Sequence, residues 1–280
     1  MKSVYFDTSA FSELWRSREV NERALTRIRA RLCSTYWVQR PMIVLGPQLV
    51  TELLQLPRAH SRERLEYIRA IPGAEFVKSI DERISEEIRC RLTGDDPDVM
   101  LDDDIRSHLL SLAVRREALH AEEREFLHQN KRDFASHETK IRAEVVALAG
   151  GRSKLNTYAQ EWFCGRRDVL VRDWAITYLR SLDRNRFGLP KPESAWPRVE
   201  NLPTVWGIAA YQCARLYLLH RDGRKIDPND ESDWRHYTAA MYADAFVVHD
   251  QRFREIVDLC PPPKPKVLSF TEWVRLSLGE

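Results

Sequence analysis

The sequence predicts an α/β fold, with a parallel sheet interrupted by a helical insertion. Two patterns predict it. Short β-prone apolar runs alternate with helical stretches at both ends of the chain, and residues 93–202 lack such runs. Composition narrows the class. With 43% hydrophobic and 31% charged residues among 280, the chain is too apolar for global disorder and too charged for a membrane bundle.

The first apolar run, Val4-Tyr5-Phe6, ends in Asp7, and Thr8 and Ser9 follow as helix starters. An Arg-rich stretch with helical spacing continues to about Leu32. Met42-Ile43-Val44-Leu45 is the second strand, stopped at Gly46-Pro47, after which a helix carries Glu52. A third strand is expected at Glu75 to Lys78, with a helix from Asp81 to about Leu92. The insertion opens on an Asp-rich run from Asp95 to Asp104 and closes on a Pro-rich connector, Pro190 to Pro203. The alternation then resumes: helices from Pro203 to His220 and Asp233 to Ala243, a strand at Ala245 to Val248, a helix from Asp250 to Val257, a strand at Lys266 to Leu268, and a closing helix from Thr271 to Leu278. The expected organisation is therefore a core of residues 1–92 and 203–280 and a helical subdomain of residues 93–202.

Forty-four Lys and Arg against 42 Asp and Glu leave a formal net charge of +2, so bulk charge names no polyanionic partner. No run reaches the roughly 18 apolar residues of a membrane span, and Asp7 interrupts the N-terminus too early for a signal peptide. A cytoplasmic location without membrane contact is expected. Five scattered cysteines with no C-x-x-C pair indicate neither a disulfide framework nor a zinc ribbon.

The acids carry more information. Asp7 and Asp250 each follow an apolar strand, where α/β sheets open their ligand crevice. Glu52 falls at the border of the apolar stripe of Leu49, Leu53 and Leu56 and so faces the molecule. Asp230 and Asp233 lie three apart at a helix start. Each of these Asp residues alone is ordinarily a helix cap, and an isolated Glu at such a border is ordinarily solvated. The functional reading comes from separate elements delivering acids to one end of one sheet.

The combination resembles the PIN-domain family of metal-dependent nucleases. Val4-Tyr5-Phe6-Asp7-Thr8-Ser9-Ala10-Phe11 is similar to that family's first strand and leading acid. Glu52 in Leu-Val-Thr-Glu-Leu-Leu is similar to its second, and the stretch from Asp230 through Asp233 and His236 to Asp250 and Phe253 resembles its last motif. Val248 stands where the family often has Thr, and the core is split by the insertion. The resemblance implies a PIN-like three-layer α/β/α sandwich and a metal-dependent endoribonuclease. Its ligands for Mg²⁺ or Mn²⁺ would be Asp7, Glu52, Asp233 and Asp250, with Asp230 as the alternative third acid. It leaves RNA as the expected substrate, DNA as the alternative, and 3′-hydroxyl and 5′-phosphate ends as products. By analogy it adds a toxin or defence effector with an antitoxin or inhibitor protein as partner, and a homodimer.

The chemistry suits the residues. Phosphodiester hydrolysis needs charge neutralised on the phosphate and an activated water, which hard divalent cations held by carboxylates supply. Like-charged acids crowded without metal would have raised pKa values. His236, one turn after Asp233, is expected to orient a carboxylate or touch the phosphate, against the ordinary reading of a packed histidine. Asp244 lies eleven residues beyond Asp233, about 16 Å along a helix axis, and reads as structural.

Substrate contacts are expected at Thr8, Ser9, Arg166 and Arg167. The latter two belong to an Arg cluster from Arg152 to Arg186, interleaved with Trp162, Phe163 and Trp174. An earlier cluster runs from Arg16 to Arg40. Solvated arginine faces and packed tryptophans are the ordinary alternatives. Two rival functions remain: a DNA nuclease with the same acids, and a catalytically silent RNA-binding or protein-interaction module. A haloacid-dehalogenase-type phosphotransferase would need a second Asp where Ser9 stands.

Overall fold

The computed structural model describes residues 2–16, 22–34, 41–56, 58–115, 152–222 and 230–279, with scattered positions between 116 and 151. Five strands, β1 (Ser3–Phe6), β2 (Met42–Leu45), β3 (Glu75–Phe76), β4 (Ala245–Val247) and β5 (Lys266–Leu268), form one parallel sheet in the order β3-β2-β1-β4-β5. The chain leaves β1 toward β2 and β3 and later returns to the other side of β1. This reversal opens a crevice beyond the carboxyl ends of β1 and β4.

The helices described are α1 (Thr8–Trp15), α2 (Glu22–Cys33), α3 (Pro47–Leu53), α4 (Arg58–Ala70), α5 (Ile80–Thr93), α6 (Asp103–Arg115), α7 (Arg152–Ser181), α8 (Arg184–Phe187), α9 (Pro203–Asp222), α10 (Asp230–Ala240), α11 (Gln251–Leu259) and α12 (Phe270–Leu278). They cover both sheet faces because strand side chains alternate. Tyr5, Val44 and Phe246, aligned by the parallel register, point to one face and pack with Ile84 of α5, Ala209 of α9, Tyr237 of α10 and Phe253 of α11. Val4, Phe6, Ile43, Leu45 and Val247 point to the other, against Phe11 of α1, Leu49 and Leu53 of α3, Ile68 of α4 and Trp273 of α12.

The segment 93–202 contributes no strand to this sheet among its described residues. Its helix α7 lies along α9, and Leu170, Val171, Ala175 and Leu179 join the buried cluster that reaches Tyr5 and Val44. This part of the segment closes one face of the sheet. Val99 to Leu101 runs antiparallel along the β3 edge: the Lys78 N–H donates to Val99 O at 2.8 Å, and the Leu101 N–H to Phe76 O at 2.7 Å. No described helix is long and apolar enough to cross a membrane.

Several boundaries differ from the sequence expectation for local reasons. The Arg-rich helical stretch is two helices, α1 and α2. β3 stops at Phe76, since Lys78 pairs with Val99 and Ser79 caps α5 in a capping box with Glu82. Helix α10 begins at Asp230, one turn before Asp233, and ends at Ala240.

Candidate functional site

Asp7 ends β1 and caps α1. The Ala10 N–H donates to its Oδ1, the His249 N–H donates to Oδ2 at 3.3 Å, and the Asp7 N–H donates to Val247 O at 3.1 Å. The carboxylate thereby stitches β1 to the loop after β4, which carries Asp250. Burial pushes the Asp7 carboxyl up to about 6, against the hydrogen bond from Ala10, the charge of His236 and the amide of His249.

Glu52 is half-buried on α3, a helix started by Pro47 and held down by Leu49 and Leu53. Gln48, one turn earlier, donates to Glu52 Oε1 at 3.0 Å, and His236 Nε2 stands 3.3 Å from Oε2. Burial opposes the charged form, but the charge and hydrogen bond of His236, with hydrogen bonds from Thr8 and Gln48, hold Glu52 at about 2.

Asp230 and Asp233 occupy the first turns of α10 and differ sharply. Asp230 is buried, with its Oδ2 3.3 Å from the Arg252 guanidinium and 3.7 Å from that of Arg215. Asp233 is half-buried and makes no hydrogen bond or ion pair with any described residue. Burial and then the charges of Asp230, Glu52, Asp250 and Asp7 push its carboxyl up to about 9. That list of neighbours shows the acids from β1, α3, α10 and α11 sharing one neighbourhood. Asp250, exposed, caps α11 by accepting the Phe253 N–H at 2.8 Å on Oδ1, so only one of its oxygens is engaged in the cap.

His236 is buried at the centre. Its Nδ1 lies 2.8 Å from the Tyr5 hydroxyl, and its Nε2 faces both Thr8 Oγ1 at 3.2 Å and Glu52 Oε2. Thr8 is thus part of the assembly. Ser9 is exposed, on the outer side of α1. Arg166 and Arg167 lie on α7, with Tyr217 and Leu259 in a groove that none of the acids lines. Asp244 accepts the Lys2 and Ser3 amides, fastening β1 to the start of β4.

Most described arginines of the two clusters have structural work. Arg29 donates to Trp15 O and lies over the Trp15 ring, Arg31 donates to Ser277 O, Arg172 pairs with Glu200, and Arg180 and Arg184 both pair with Glu193. Arg18, Arg40 and the side chains of Arg152, Lys154, Trp162 and Phe163 lie outside the described residues. Trp174 stacks on Tyr178 at 5.9 Å.

The sequence reading missed Tyr5 and Gln48. A phenol inside an otherwise apolar buried strand must find a polar partner, which is the signal Tyr5 offered. Gln48 stands at the i−4 position of Glu52, where helical neighbours meet.

Among the described residues no group of three or more His, Cys, Asp or Glu side chains is arranged to hold a metal ion as it stands. The acids share one neighbourhood, but Asp7 and Asp250 are turned to helix amides and Glu52 to His236. Repulsion keeps such carboxylates on neutral or cationic partners until a cation joins them. The donor chemistry, all oxygen with no thiolate, is that of a hard divalent ion. No family model, curated protein or solved structure matches this chain.

Proposed function

We propose that the chain is a PIN-like, metal-dependent endoribonuclease. The observation that carries this reading is Asp233, a half-buried carboxyl without hydrogen bond or counter-ion among the described residues, set among four other acids at the switch point of a parallel sheet. Such a group is costly unless a cation completes its surroundings.

Asp7, Glu52, Asp233 and Asp250 would hold Mg²⁺ or Mn²⁺. Asp230, already paired with Arg252 and Arg215, supports the start of α10. A bound divalent ion supplies charge neutralisation at the phosphate and lowers the pKa of an attacking water. Among the chain's own groups, Asp233 presents an uncommitted carboxylate, Asp250 keeps an oxygen outside its cap, and His236 holds Glu52 in place. The family resemblance implies in-line hydrolysis that leaves 3′-hydroxyl and 5′-phosphate ends. A toxin or defence effector, with an antitoxin or inhibitor protein as partner, is the biological setting the family resemblance supports.

The test is cleavage of single-stranded RNA and DNA of one sequence by the wild-type chain and Asp7→Asn, with Mn²⁺ and with EDTA. RNA cleavage only with Mn²⁺, reduced more than about 100-fold in the variant, is expected. Unchanged cleavage by Asp7→Asn removes Asp7 from the reaction. Cleavage of DNA alone makes the chain a DNA nuclease, and none of either makes it a silent binding module.

A further inference from the structure

The buried face of α4 carries a cation that no described residue neutralises. Arg64 is only 4% exposed, makes no hydrogen bond or ion pair with any described residue, and has its Nε closed off from solvent without an acceptor. Burial and then the charge of Arg16 lower its pKa, opposed by Glu63, an exposed residue beside it on α4. An arginine that merely lays its stem along apolar surface keeps its head in water, and a buried structural one finds an acid or a carbonyl. Arg64 does neither.

Its surroundings suit an anion. Tyr67, three residues on and on the same side of the helix, has a buried hydroxyl without a partner among the described residues, so its proton has no acceptor. The Tyr67 ring lies 5.4 Å from that of Trp15, the last residue of α1, and the Arg29 guanidinium of α2 sits over the other ring at 5.4 Å. Arg16 follows as the C-cap of α1, exposed, and pairs with Glu13 only loosely at 3.7 Å. The dipole of α1 favours cations at this end, but Arg29 already takes the Trp15 carbonyl and Arg64 reaches none. Three helices thus bring three guanidinium-bearing residues and an unpartnered phenol to one place.

We propose that Arg64, Arg16 and the Tyr67 hydroxyl form a binding site for a phosphate group, borne by a nucleic-acid strand or free in solution. A guanidinium fork and a phenol donor match the oxygens of a phosphate, which supplies the negative charge that Arg64 lacks. Asp7 and Arg16 cap the two ends of α1, nine positions and about 14 Å apart. A strand that passes along this helix therefore presents to Arg16 a phosphate a few nucleotides away from the one at the acids. Only the strand as source rests on the nuclease reading; the site itself does not.

The experiment compares the wild-type chain with Arg64→Met, Arg16→Met and Tyr67→Phe in EDTA. Thermal unfolding is followed in inorganic phosphate and in sodium chloride of equal ionic strength, and binding of a labelled single-stranded RNA is titrated against salt. Phosphate should raise the wild-type melting temperature above its value in chloride. Arg64→Met should lose that response without losing stability in chloride, since an unpaired buried charge is gone. RNA affinity should fall about 10-fold in Arg64→Met, with the slope of log affinity against log salt reduced by about one, the mark of one lost phosphate contact. Arg16→Met, on the exposed rim, and Tyr67→Phe, which removes one hydroxyl, should weaken both readouts less, and they carry the test if Arg64→Met does not fold. A phosphate response that depends on these residues, with RNA binding unchanged, assigns the site to free phosphate; a dependence of RNA binding assigns it to the strand. A wild type indifferent to phosphate, or a response that all three variants keep, together with unchanged RNA affinity and salt slope, overturns the proposal. The nuclease reading fails separately, by absence of Mn²⁺-dependent cleavage.

Discussion

Two buried carboxyl regions on the same sheet face solve the same electrostatic problem differently. Under α5, Glu87 is fully buried. It accepts the Thr204 N–H at 2.9 Å and the Tyr242 hydroxyl, and Arg83, one turn earlier, lies close enough to lower its pKa. Burial still pushes Glu87 up to about 7. At the crevice burial again leads, and it pushes Asp233 to about 9 because the charges of Asp230, Glu52, Asp250 and Asp7 add to it where Arg83 relieves Glu87. Burial alone therefore does not distinguish a structural acid from a candidate ligand; the sign of the neighbours does. Glu87 has its cation within the chain, whereas Asp233 has none among the described residues.

The widest separation between the regions is expected in stability. Arg83 donates to Thr238 O at 2.7 Å and to Lys78 O at 3.0 Å while facing Glu87. Arg83→Met should cost about 3–5 kcal/mol, because one charge of a buried set is left behind. Asp233→Asn should leave the metal-free chain about as stable as the wild type, since a carboxyl raised to about 9 is held neutral and has no described partner to lose. Urea unfolding of both variants in EDTA checks the contrast, and a comparable loss in Asp233→Asn would erase it.

Acidity gives the next effect, and its direction follows from the raised values. Asp7 binds its proton more tightly folded than unfolded, so its contribution is fully present below about pH 4 and is lost as the pH rises through about 6. That loss amounts to roughly 3 kcal/mol, at 1.36 kcal/mol per pK unit. Asp233 extends the decline toward about pH 9. Glu52 acts oppositely: its contribution is present above its ordinary range and lost as the pH falls toward about 2. In EDTA the melting temperature should therefore fall from mildly acidic to alkaline pH, and Mn²⁺ should restore it most at the alkaline end. A melting temperature that is flat with pH, or unmoved by Mn²⁺, would show that the acids are already neutralised within the chain.

The parts of this arrangement that follow from local rules were legible in the sequence. Asp7 and Asp250 end apolar strands, and a parallel sheet places such ends in one crevice. Glu52 at the edge of a leucine stripe is half-buried, as its position predicts. Asp244 satisfies backbone amides, in keeping with its distance from Asp233. What depends on contacts remote in sequence was not legible. Tyr5 and His236 meet across 231 positions, Arg83 reaches Thr238 across 155, and no periodicity encodes either meeting. The same holds for α7: its apolar residues announce a helix, but only packing shows that Leu170, Val171, Ala175 and Leu179 complete the core that holds Tyr5.

The finest test of the comparison uses two neighbouring hydroxyls. Thr8 and Ser9 both follow Asp7 and read alike in sequence, but Thr8 Oγ1 lies 3.2 Å from His236 Nε2 and also donates to Glu52, whereas Ser9 points to solvent. If the crevice is an organised polar assembly, Thr8→Val, which keeps the shape and removes the hydroxyl, should cost about 1 kcal/mol. Ser9→Ala should stay within about 0.5 kcal/mol of the wild type. The two should also part in Mn²⁺ binding, since only Thr8 touches a carboxylate. Equal behaviour of the pair in denaturation and in Mn²⁺ titration would mean that hydrogen bonds around Glu52 carry no weight. The raised pKa values of Asp7 and Asp233 would then reflect burial and crowding alone.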